Sequence, residues 1–323
     1  MYCRACQTMI PDSARFCPEC GTPTGGPVVA APKKRRGAFT VALCVLLLVL
    51  VLAFEVAGAL IASLCGLDLE LLTTFCGALG ALLAVRMLGK GDLLVPRRTD
   101  LARAWREGWW VVAVSGVLAL IDIASMILDG EGLAEPGWAL RIAYLVELCL
   151  SIGASEEAIF RGVMLQGMLD VFGSRPRGKV VAVVLSSVLF GAAHVSWAEL
   201  SYGDPLEVMQ AVLKMLQTGT YGVFLAALAL RTHSLVGPML LHALDDLVLM
   251  IPSVGLAGTD LSTDYVTSGS DAVPTVILYC VIIVAYLPLV WRGIRMMGEY
   301  LREGEGLRPA DPPTPGWRSS GTR

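Results

Sequence analysis

The sequence predicts an all-α membrane protein: a bundle of about eight transmembrane helices preceded by a small cytoplasmic four-cysteine module. Three observations carry this. The chain of 323 residues is 55% hydrophobic and only 16% charged, against about 25% charged in a soluble domain. Apolar runs long enough to cross a bilayer recur along it, and the mean hydropathy is +0.66. Four of its nine cysteines lie at or before Cys20, in a polar segment. The net charge of −3 gives no basic footprint for nucleic acid, and the polar, cysteine-bearing front does not read as a cleavable leader.

Residues 1–22 form the first unit. Cys3-x-x-Cys6 and Cys17-x-x-Cys20 each present two thiolates to one ion, and four thiolates satisfy tetrahedral zinc. A segment this short builds no core, so metal binding supplies its folding free energy. The segment ending Phe16-Cys17-Pro18-Glu19-Cys20-Gly21 resembles the short zinc ribbons at the front of many bacterial membrane proteins. A docking role toward a cytoplasmic protein is the expectation for it. The other five cysteines lie in apolar runs without a pairing pattern and read as small hydrophobes.

A basic linker follows over 23–37, with Lys33-Lys34-Arg35-Arg36 at its end. Apolar spans are expected near 38–64, 69–88, 109–128, 138–160 or longer, 180–195, 208–230, 235–252 and 274–291. The expected domain runs from 38 to 303, and the Pro/Gly/Ser-rich tail 304–323 reads as disordered. Leu101, Trp105 and Trp109 recur at four-residue steps among arginines, which predicts a short separate helix in the cytoplasmic interface.

Basic residues set the orientation. The connections near 65–68, 129–137, 196–207 and 253–273 hold no Lys or Arg. The alternate ones hold Arg86 to Arg106, Arg175 to Lys179, Arg231, and Arg292 with Arg295. By the positive-inside rule these clusters and both termini are cytoplasmic, in a multi-pass protein of the cell membrane. Arg141 and Lys214 fall outside the pattern, and snorkelling from near a helix end is the expectation for both.

The chemistry lies in charged residues at membrane depth, each costing about 2.5–3.5 kcal/mol to insert. Glu156-Glu157-x-x-x-Arg161 lies in the fourth span, Phe190-x-x-x-His194 in the fifth and His242-x-x-x-Asp246 in the seventh. Two of the chain's three histidines are among them. Glu157 and Arg161 share a helix face and suit an ion pair. Glu156 is then the free, partly desolvated carboxylate and the candidate general base. Phe190 packs one turn from His194. His233 sits in a short cytoplasmic turn and is expected to be inert, and Asp245 points away from Asp246. Glu55, Asp122 and Glu147 are expected as interhelical hydrogen-bond partners or as the lining of a cavity. By length, Glu156 matches His194 in depth if its helix extends to about Phe172.

These motifs, in this order and at this spacing, resemble the CAAX-protease and bacteriocin-processing intramembrane proteases (CPBP, Rce1-like, formerly Abi). The resemblance covers roughly residues 110–250 and rests on Glu156-Glu157-Ala158-Ile159-Phe160-Arg161, Phe190-Gly191-Ala192-Ala193-His194 and His242-Ala243-Leu244-Asp245-Asp246. It implies peptide-bond hydrolysis of a membrane-associated peptide or protein at a cytoplasm-facing cavity in the bilayer. Glu156 and His194 would activate water, and His242 with Asp246 would stabilise the oxyanion or hold a divalent metal. Many relatives carry Asn where this chain has Asp246. An amide donates to an oxyanion, whereas an ionised Asp only accepts. Asp246 is therefore expected to be protonated, to orient His242, or to ligate an ion. The family has been described both as metal-dependent and as glutamate-dependent, and His-Glu-x-x-His is absent here. Two other readings stand beside this one: a proton-coupled transporter, for which no internal repeat is seen, and a catalytically silent regulatory protein that binds through the ribbon.

Overall fold

The computed structural model describes residues 37–96, 98–130, 134–261 and 265–303. The ribbon cysteines Cys3, Cys6, Cys17 and Cys20, the basic linker and the tail after 303 lie outside the described residues. The described chain is helical. In order come α1 Gly37–Cys65, α2 Leu69–Met87, a 3-10 turn Gly91–Leu94, α3 Arg98–Leu128, α4 Trp138–Glu157, a π-helical turn Ala158–Met164 and α5 Leu165–Phe172. Then follow α6 Pro176–Ala193, α7 Pro205–Thr232, α8 Val236–Met250 with a π-helical turn Ile251–Ala257, α9 Ala272–Ala285 and α10 Leu287–Glu303.

Local chemistry sets many of these ends. Asp68 caps α2 by accepting from the Leu71 amide at 2.8 Å, and Asp204 caps α7 by accepting from Leu206 at 2.8 Å. Pro176 and Pro205 open α6 and α7, where the missing N–H costs nothing. Pro288 breaks the last apolar run, since its ring clashes with the preceding turn. Among the described residues seven helices are long and apolar enough to cross a membrane. The expected 274–291 span is the pair Gly269–Ala285 and Leu287–Arg302, bent by 41°. The protein is thus a multi-pass membrane protein, and apolar side chains such as Leu46, Leu60 and Leu120 face outward, as lipid-facing residues do.

Among the described residues the arginine-rich stretch up to Trp109 is not the separate short helix that its spacing predicts, but the start of a long one. The chain from Arg98 to Leu128 is one helix of 31 residues. Its arginine-rich start also has an inward face, because Ala104, Glu107 and Gly108 are buried. Arg292 donates to the Glu107 carbonyl at 2.7 Å and Arg295 pairs with the Glu107 carboxylate, which binds this start to α10.

α7 lies centrally, packed against α6, α8, α9 and α10. One core cluster joins Phe224, Leu225 and Leu228 of α7 to Val111, Leu241 and Leu289, and another joins Val51, Ala84, Val85 and Leu235. Two glycines set the spacing that matters for the site. A Cβ on Gly153 of α4 would stand 2.6 Å from the Met239 carbonyl oxygen of α8. One on Gly191 of α6 would stand 2.2 Å from the Met215 carbonyl oxygen of α7. Only glycine admits backbones this close.

Both exceptional cations have partners within the fold. Arg141 ties a connection together by donating to the carbonyls of Glu135, Pro136, Gly255 and Leu256. Lys214 turns to an aromatic ring, described below. Glu147 bonds within its own helix, accepting from Ser151 at 2.9 Å, rather than across helices. It also lines a cavity of about 200 Å³ with Leu67, Asp68, Leu71, Leu72 and Phe75. Glu55 packs against the Gly77 position of α2.

Candidate active site

Three separate elements bring the sequence motifs together. Glu156 and Glu157 lie in the last turn of α4, which continues through the π-helical turn and α5 to Phe172, the length at which Glu156 and His194 share a depth. His194 caps the C-terminus of α6, and His242 and Asp246 lie one turn apart on α8. α6 ends at His194 because the following chain satisfies its last carbonyls: Trp197 Nε1 donates to the Ala192 carbonyl at 2.8 Å.

Glu157 is the buried anchor. Its Oε1 accepts from Arg161 Nη1 at 2.7 Å, with both side chains almost fully buried. The same oxygen lies 3.0 Å from His242 Nδ1. An ionised carboxylate only accepts, so Nδ1 of His242 carries the hydrogen and Nε2 turns to the other side of the ring. Arg161 also donates to the Gly222 carbonyl of α7 at 3.4 Å.

Phe190 is a wedge among these groups. Its ring lies edge to face with His194 at 4.7 Å and with His242 at 5.8 Å, and the Arg161 guanidinium stands 4.0 Å from its centroid. Full burial of such a ring contributes roughly 1.5–3 kcal/mol, and here it also fixes the angle between the two imidazoles.

His194 Nδ1 lies 2.8 Å from the Phe190 carbonyl oxygen. A carbonyl only accepts, so Nδ1 donates, and in the neutral ring Nε2 offers a lone pair. That nitrogen is 3.6 Å from Glu156 Oε2, and His242 Nε2 is 3.8 Å from the same oxygen. Asp246 Oδ2 is 3.6 Å from His242 Nε2. Glu156 Oε2 is buried and has no hydrogen-bond partner among the described residues, although the side chain as a whole is 29% exposed. His242 is only 5% exposed and His194 17%, so the site opens on the Glu156 and His194 side.

Among the described residues no group of three or more His, Cys, Asp or Glu side chains is disposed to hold a metal ion. As they stand, Glu156, His194, His242 and Asp246 do not form a divalent-ion cage. Asp245 faces away, as expected, and accepts from the Ser115 hydroxyl of α3. His233 pairs with Asp92 at 2.7 Å in an exposed turn. Sequence reasoning missed two aromatic neighbours: Tyr221, 5.9 Å from the His242 ring, and Tyr265, 6.4 Å from the His194 ring. Neither belongs to a motif, and only the fold brings them close.

A polytopic helical bundle with two imidazoles and a carboxylate facing one buried point defines the class: a multi-pass membrane protein with a polar site among its helices. Residues 137–248, which contain all three motifs, match the family model of the type II CAAX prenyl endopeptidase Rce1-like proteins. Residues 2–24 match a zinc-ribbon domain. The chain is thus similar to the Rce1-like proteins over 137–248 and to zinc ribbons over 2–24. Nothing among curated proteins and nothing among solved structures matches it.

Proposed function

We propose that the protein is an intramembrane endopeptidase that hydrolyses a peptide bond of a membrane-associated protein or peptide, with Glu156 as the base. The observation that supports this best is the orphaned Glu156 Oε2, aimed between two imidazole Nε2 atoms 3.6 and 3.8 Å away. The carboxylate oxygen and the neutral His194 Nε2 are both acceptors facing one point. A molecule with two O–H donors satisfies both, and water is the smallest.

The water oxygen attacks the peptide carbonyl carbon while Glu156 takes one of its protons. His242, in its protonated form and held at Nδ1 by Glu157, donates from Nε2 to the carbonyl oxygen as it becomes an oxyanion. The C–N bond then breaks, the proton on Glu156 passes to the leaving nitrogen, and an acid and an amine are released. Asp246 steadies the His242 ring from the Nε2 side.

The protease domain spans 38–303 in this reading, with its motif core at about 110–250. The basic clusters support cytoplasmic termini in a cell-membrane protein, and the zinc-ribbon match supports a structural zinc held by Cys3, Cys6, Cys17 and Cys20. The matched family's description makes a prenylated peptide ending in a CAAX sequence the first substrate to try. The test is cleavage of that peptide, and of an unprenylated transmembrane peptide, by purified protein in liposomes. Wild type cleaves, whereas Glu156→Ala, His194→Ala and His242→Ala insert and fold but do not. Full cleavage by Glu156→Ala contradicts the scheme.

A further inference from the structure

Lys214 of α7 faces the Tyr265 ring, a neighbour of His194, and the scheme above does not use it. An ammonium inside a bundle is costly unless something holds it. Its Nζ lies 3.7 Å from the centroid of the Tyr265 ring and 5.9 Å from that of Tyr279. Among the described residues it makes no ion pair with a carboxylate. The Tyr265 ring in turn lies 6.4 Å from the His194 ring, so the ammonium borders the site.

The ring that holds it is itself pinned. Tyr279 donates its hydroxyl to the Tyr265 carbonyl. Two residues on, Thr267 accepts from Gln210 through its carbonyl at 2.8 Å and donates to Gln210 Oε1 through its amide at 2.8 Å. Gln210 and Lys214 are one turn apart on α7, so the same helix anchors the segment and offers the cation. Burial, with Asp246 and Glu156 behind it, pushes the Tyr265 phenol up to about 12. The ring therefore stays neutral and presents its π face to the ammonium.

The local charges need such a cation. Arg161 answers Glu157 and His242 stands near Glu156 and Asp246, but among the described residues no lysine or arginine touches Glu156, Asp245 or Asp246. Peptide hydrolysis adds further negative charge as the oxyanion forms, and ionised Asp246 only accepts. Resting on the protease reading, we propose that Lys214 is a further residue of this site: a cation held by the Tyr265 ring that stabilises the negative charge developing on the scissile carbonyl. It acts through its field, as a positioning residue, and His242 makes the contact.

The test measures kcat and KM for Lys214→Met, Lys214→Arg, Tyr265→Leu and Tyr265→Phe in liposomes with the prenylated CAAX peptide, alongside wild type and Glu156→Ala. Lys214→Met lowers kcat about 10- to 100-fold, at or below the loss of one direct oxyanion donor, with KM within about threefold. Lys214→Arg restores most of the loss. Tyr265→Leu lowers kcat by a smaller factor, and Tyr265→Phe restores it. Unchanged kcat in Lys214→Met, a rise in KM alone, or a lowered melting temperature with no rescue by arginine overturns the proposal while the Glu156 dependence stands. Cleavage that survives Glu156→Ala overturns the protease reading beneath it.

Discussion

Glu157 Oε1 lies 3.0 Å from His242 Nδ1 and joins α4 to α8 across 85 residues of sequence. The same oxygen accepts from Arg161 at 2.7 Å. One buried carboxylate thus neutralises a cation and fixes the tautomer of an imidazole. Glu157→Gln leaves Arg161 buried without a counter-charge. Breaking such a pair costs about 3–5 kcal/mol, so this variant melts earlier in detergent and loses cleavage as well. Glu156→Gln, whose Oε2 has no partner to lose, melts like wild type and loses cleavage alone. Equal melting of the two variants contradicts this division of labour.

The approach of α4 to α8 at Gly153 places the two carboxylates of the Glu-Glu pair beside His242. A methyl at Gly153 meets the Met239 carbonyl oxygen at 2.6 Å and the Ala243 amide nitrogen at 3.0 Å. Both neighbours are backbone, so the helices must separate. Gly153→Ala is expected to cost about 1–3 kcal/mol as overpacking and to lower kcat through the misplaced imidazole. Thermal unfolding and steady-state kinetics on one preparation check both effects.

Much of this was legible in the sequence. Charges are so costly in lipid that Glu156, Glu157, Arg161, His194, His242 and Asp246 stood out against their apolar neighbours, and helical spacing paired Glu157 with Arg161 and Phe190 with His194. What sequence could not show is contact between helices: that Glu157 also holds His242, that Phe190 wedges between Arg161 and both imidazoles, and that Ser115 engages Asp245. The start of α3 was misread because its arginines mark one face only, while Ala104, Glu107 and Gly108 on the other are packed inside. The Lys214 exception carried a signal, an ammonium at membrane depth, but its partner Tyr265 is 51 positions away in a segment without periodicity.

Asp246 stands where the resemblance implies asparagine as the common residue. Its Oδ2 stands 3.6 Å from His242 Nε2, and an amide oxygen can occupy the same place. Asp246→Asn is expected to keep cleavage within about tenfold of wild type, since it retains an acceptor and adds an oxyanion donor. Asp246→Ala, which removes the neighbour altogether, is expected to lose about a hundredfold, within the range of a lost oxyanion-site group. Relative kcat values for the two variants check this.

Metal content separates the ribbon from the site. Purified protein is expected to hold one zinc, lost when residues 1–30 are removed, and the truncated protein is expected to keep cleaving. The measurement is elemental analysis beside the cleavage assay. A second tightly bound divalent ion that survives truncation and is lost on His194→Ala would move the water-activating role from Glu156 to that ion.

The most direct test is a double-mutant cycle on Glu156 and His194, built from Glu156→Gln, His194→Gln and the pair, each read by kcat in liposomes. If both side chains hold one attacking water, either substitution alone removes about 10²–10⁴-fold, and the double variant is no slower than the worse single one. Losses that multiply in the double variant would mean that the two groups act independently, and the shared water site would be wrong.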